Sequence, residues 1–144
     1  MRNHRLGALG ASLFVAAAMH GCGEPESGPI FHGCTDANFV DRTAATAERR
    51  VGFGSTRGSG PFDYLPKCIL IAAGQSVSFE GDFNQHPLSP GTSATARNAG
   101  SPNNPITRTT SGSSASFTFA SAGTYPYFCE LHVAAGMAGV VRVR

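Results

Sequence analysis

Tryptophan is absent from the 144 residues, lysine occurs once, and only 14% of positions are charged. Gly, Ser, Thr and Ala fill the space instead, which argues against long amphipathic helices. The formal net charge of +2 is misleading, because Arg2 and Arg5 lie in a leader-like start. Removing them leaves nine basic against nine acidic residues, and no Lys/Arg run occurs anywhere. A neutral chain without basic patches excludes the electrostatic footprint of a nucleic-acid binder. Neither Cys-x-x-Cys nor Cys-x-x-Cys-His is present, which removes the usual signatures of thioredoxin-like chemistry and covalent haem. The length allows one domain with a core of modest size.

The N-terminus reads as an export signal over residues 1–21. Arg2 and Arg5 give it a positive start, and Leu6 to Met19 is uncharged and apolar, too short to cross a bilayer comfortably. Met19, His20, Gly21 and Cys22 follow, resembling the bacterial lipobox, in which the Cys is diacylated and becomes the new N-terminus. Gly21 and Cys22 match that pattern, whereas His20 departs from the small residue expected there. Cleavage near Ala18, leaving Cys22 as an odd thiol, is the alternative. Residues 22–33 suit a solvated tether, with His32 read as solvated, and residues 34–144 form the domain.

Within that domain the pattern is one of short strands between Gly, Pro and Asn punctuation. Lys67 to Ile71 is a compact apolar run. Val77, Phe79 and Phe83 alternate with Ser78, Glu80 and Asp82, and Ala115, Phe117 and Phe119 repeat the alternation. Tyr125, Tyr127 and Cys129 share a face of the next strand, as Val141 and Val143 do in the last. This predicts an all-β antiparallel sandwich. Residues 42–50 fit a short helix or a strand equally well. Residues 89–114 form a long loop, rich in Ser, Thr, Gly, Asn and Pro, with almost nothing to bury; it is either mobile or shaped around a site.

Chemistry concentrates near the C-terminus. Cys129, His132 and Met137 stand at the spacing Cys-x2-His-x4-Met, so a thiolate, an imidazole and a thioether fall within nine residues. Soft sulfur with imidazole selects copper over the hard cations. His86, where an alternating strand ends, is the strongest candidate for a second imidazole. Zinc is the competitor, but its fourth partner is normally Cys, His or carboxylate rather than thioether.

The run Ala72 to Phe79 followed by His86, and then Gly123 to His132 through Met137 to Val143, resembles the plastocyanin/azurin family of blue-copper proteins, the cupredoxins. The resemblance covers roughly residues 67–144, interrupted by the 89–114 loop, and the Cys-to-His and His-to-Met spacings match the plastocyanin branch. It implies a Greek-key β-sandwich with copper at one end, His86, Cys129 and His132 in the trigonal plane, and Met137 as the weak axial ligand. It further implies a one-electron carrier exchanging electrons with donor and acceptor redox proteins, not an enzyme, since four protein ligands leave no open position. A copper chaperone using the same ligands is the alternative, though the chain lacks the Met-rich or His-rich tract such proteins usually carry. A monomer is expected, touching the membrane only through a lipid on Cys22. One residue departs from the family pattern: Pro87 follows His86, where Asn is common and its backbone N–H can donate toward the copper thiolate. Proline has no N–H to donate.

The remaining cysteines, Cys34 and Cys68, can pair with each other. The competing pairing of Cys68 with Cys129 would consume the thiolate that the metal cluster requires.

Overall fold

Alternating apolar residues drive the chain into strands, because a period of two puts every second side chain on one face. The computed structural model describes residues 28–55 and 60–144. Nine strands lie among the described residues: β1 (Val40–Asp41), β2 (Arg50–Phe53), β3 (Tyr64–Leu65), β4 (Cys68–Ile71), β5 (Ser76–Glu80), β6 (Leu88–Pro90), β7 (Ser114–Thr118), β8 (Gly123–Cys129) and β9 (Ala138–Val143). They form a five-stranded sheet in the order β1-β4-β9-β8-β6 and a four-stranded sheet in the order β3-β2-β5-β7. The expected all-β Greek-key sandwich is what forms. Its pairings are mixed rather than purely antiparallel: β1–β4, β4–β9 and β2–β5 run parallel. Parallel neighbours need long crossovers, and here the chain changes sheets between β3 and β4 and again between β4 and β5.

The inner faces meet through fully buried Val51, Phe53, Val77 and Phe79 from one sheet and Ile69, Ile71, Tyr127 and Val141 from the other. Tyr127 lies edge-on to Phe79 at 4.9 Å between ring centroids, a favoured aromatic geometry. Phe117 is only partly buried because β7 closes one edge of its sheet, while Phe119 is fully buried. Cys34 and Cys68 are disulfide-bonded. Closing a loop of that length stabilises the fold by about 3–4 kcal/mol on the chain-entropy model.

Residues 42–49 are neither helix nor strand. They wrap around the Arg49 guanidinium, which donates to the carbonyls of Arg42, Ala44, Ala45 and Ala47 at 2.9–3.3 Å. The tether also ends sooner than its composition suggests, since Phe31 packs against the Cys34–Cys68 disulfide and Val140. His32 is half-buried rather than solvated; its Nε2 is buried without a hydrogen-bond partner, and burial lowers its pKa. The leader and Cys22 lie outside the described residues.

The expected 89–114 loop starts and ends in strand, with Ser89 and Pro90 in β6 and Ser114 in β7, and the connection between them is shaped. It covers the edge of β8 that β6 leaves open: Gly91 N–H and Asn104 Nδ2 donate to the Pro126 carbonyl, and Ser101 N–H donates to that of Thr124. Pro126 is tolerated in a central strand because its missing N–H would face this loop and not β9. The loop does bury something, namely Ile106, at 2% exposure.

Candidate metal centre

His86 is delivered by a tight turn after β5. The Asp82 carboxylate accepts from the backbone and side-chain nitrogens of Asn84 at 2.9 Å, and the Asp82 carbonyl accepts from the His86 N–H at 3.0 Å. Gly54 makes room for the imidazole, since a Cβ there would lie 3.2 Å from His86 Nε2. Cys129 ends β8, and His132 opens a single turn over Val133–Ala135. Gly136, at φ +92°, reverses the chain into β9 with a conformation that side-chain-bearing residues resist. The reversal is latched: Cys129 N–H donates to the Met137 carbonyl at 2.9 Å, and Met137 N–H to that of His132 at 3.1 Å.

These turns bring three of the four sequence-predicted donors together. The Nδ1 atoms of His86 and His132 are 3.1 Å apart, and Cys129 Sγ is 3.4 Å from His132 Nδ1. All three donor atoms lie within 4.8 Å of one another. His86 and Cys129 are buried, His132 is half-buried, and Met137 is fully buried in the same core cluster as Cys129. Burial raises the Cys129 thiol pKa, opposed by the N–H groups of Leu131 and His132. Burial, helped by the nearby His132, lowers that of His86. Burial thus disfavours the charged form of both the Cys129 thiol and the His86 imidazole.

A family model for copper-binding proteins of the plastocyanin/azurin family matches residues 51–144. The chain belongs to that family. Among its relatives, the chloroplast plastocyanin of Chlamydomonas reinhardtii is 28% identical over 120 residues, 78% of each chain. Of the solved structures, the pseudoazurin of Methylobacterium extorquens is 22% identical over 65% of this chain and 72% of that chain, with a TM-score of 0.49. The plastocyanin of Dryopteris crassirhizoma is 22% identical over 66% of this chain and 99% of that one, with a TM-score of 0.47. No helix among the described residues is long and apolar enough to cross a membrane.

The donor set fits the family's copper. Two imidazole nitrogens 3.1 Å apart cannot both aim lone pairs at each other without a proton or a cation between them. A buried cysteine free of any disulfide beside them completes a soft, nitrogen-and-sulfur set.

Two features of this cupredoxin's site escaped the sequence reading. Phe62, 42% exposed, stacks on the His132 ring at 4.4 Å between centroids and 28° between planes. Glu130, between Cys129 and His132, is clamped by the long loop. Arg108 grips it with Nε at 2.8 Å and Nη2 at 2.7 Å, Arg97 adds a third ionic bond at 2.8 Å, and buried Ser89 donates at 2.6 Å. These bonds, Arg108 foremost, hold the Glu130 pKa down at about 2. The signal available was slight: one carboxylate inside the ligand loop, and two lone arginines in an otherwise uncharged insertion.

The Phe62 stack predicts a measurable change. Phe62→Ala should move the His132 ring-proton resonances downfield in the metal-free protein and lower its stability by about 1 kcal/mol. Unchanged resonances would show that the ring does not rest on the imidazole.

Proposed function

We propose that this chain is an exported one-electron carrier in which His86, Cys129, His132 and Met137 would hold a single copper. The observation that carries the reading is the convergence of two Nδ1 atoms and one free thiol within 4.8 Å in a member of a copper-binding family. Copper bound there supplies a Cu(II)/Cu(I) couple. The protein's part is to hold donors acceptable to both states and to keep the thiolate in a largely water-free pocket. With four protein ligands there is no open position for substrate, which favours a carrier over an enzyme. Because the Cys129 pKa is raised, metal uptake must expel a proton, and affinity falls as the pH drops.

His132 is the ligand nearest solvent, bordered by exposed Phe62 and Leu131, at 42% and 64%. That apolar rim suits brief contact with donor and acceptor proteins. Export and lipidation at Cys22 rest on the leader; the mass of the membrane-associated protein checks them, and an unmodified thiol there contradicts the anchor. Reversible voltammetry of the copper-loaded protein tests the carrier role. A fast one-electron wave supports it, and copper lost on reduction points instead to delivery.

Pro87 carries a prediction about the potential. It is buried, its carbonyl accepts the Glu130 N–H at 2.9 Å, and it offers no donor of its own. Thiolate hydrogen bonds stabilise the electron-rich sulfur and raise the potential. A net bond of about 1 kcal/mol corresponds to roughly 40 mV for one electron. Pro87→Asn should raise the midpoint by that order, and an unchanged midpoint sinks the idea.

A further inference from the structure

The end of the sandwich away from His132 holds a charged group that copper binding does not use. Arg142, near the end of β9, pairs across to Thr124 at the start of β8. Strand rise puts Thr124 about 17 Å from Cys129. The Arg142 side chain is only 16% exposed and is fixed on two sides. Phe39 covers one guanidinium face at 4.0 Å, and Nη1 donates to the Asp36 carboxylate. The other edge, Nε and Nη2, is buried and has no hydrogen-bond partner among the described residues.

Leaving charged donors buried and unmet is costly. The Nε–Nη2 edge is the fork that takes both oxygens of one carboxylate, and Arg108 uses that same edge on Glu130 in this chain. Arg142 also borders a cleft of about 470 Å³. The backbone at Gly28 runs close by, since a Cβ there would lie 3.7 Å from Nη2.

We propose that the Nε–Nη2 edge of Arg142 is a carboxylate-binding site. A planar monoanion fits, because Asp36 already neutralises part of the charge and repels a dianion. Two sources offer that chemistry. One is the chain itself, which carries Glu26 two residues and Glu24 four residues before Gly28 in sequence. The other is a free carboxylate compound.

The test follows the Arg142 Nε–H resonance of the ¹⁵N-labelled full chain during an acetate titration, in the wild type and in the Glu24→Gln/Glu26→Gln variant. If the chain supplies the carboxylate, the wild-type proton exchanges at least about tenfold more slowly than that of exposed Arg144 and ignores acetate, while the variant responds saturably. If a free carboxylate is the ligand, both chains titrate alike. A resonance that ignores acetate in both chains overturns the proposal. The copper spectrum is read separately, so failure here leaves the metal assignment untouched.

Discussion

Replacing Cys129 with Ser should weaken copper binding by more than about a hundredfold and remove the intense visible absorption of the copper form. Losing an outer partner of a metal ligand already costs about 10–100-fold, and Cys129 is placed to be a ligand itself. Serine keeps the shape but offers a hard, protonated hydroxyl where soft Cu(I) prefers sulfur. The position is fully buried at the end of β8, so the variant's fold must be checked by a melting curve of the metal-free protein. Competition against a chromogenic Cu(I) chelator reads the affinity. A variant within tenfold of the wild type shows that the thiol is not a ligand.

Glu130→Gln should destabilise the metal-free protein by about 2–3 kcal/mol at neutral pH. The carboxylate holds the two arginines of the long loop, and the amide cannot accept Arg108 in the same two-oxygen grip. Its side chain is 15% exposed, but Arg108 is 59% exposed and can turn to water, which limits the loss. The pH dependence follows from the depressed carboxyl. Its stabilisation is complete above the ordinary value of 4.5 and fades as the pH falls toward about 2. The gap between wild type and variant in urea melts should therefore narrow between those limits. A gap that stays constant down to pH 2 shows that the ionised clamp is not its source.

How much of this could be read beforehand differs by residue. Cys129, His132 and Met137 were legible because their spacing is local, one strand end and one turn, and local spacing fixes geometry. His86 needed strand context, and its 3.1 Å approach to His132 follows from the packing of two sheets. Alternation identified the buried faces of β5 and β9 but not their partners, which is why the parallel pairings of β2 with β5 and β4 with β9 were missed. A face pattern is the same whichever direction the neighbour runs. Arg97, Arg108 and Phe62 were unreadable for a related reason. Each acts on a residue distant in sequence, Arg97 and Arg108 from the long loop and Phe62 from the connection between β2 and β3. The turn around Arg49 shows the same limit at short range, since a guanidinium gathering four carbonyls has no periodic signature.

The copper site rests on one point in space where Cys129, His86 and His132 converge. The most direct test is the visible spectrum of the Cu(II)-loaded wild-type protein during stepwise reduction and reoxidation. Copper held there should give an intense thiolate-to-copper band at one copper per chain, bleached by one electron and restored on reoxidation. A weak spectrum without that band, at any copper loading, contradicts the copper assignment.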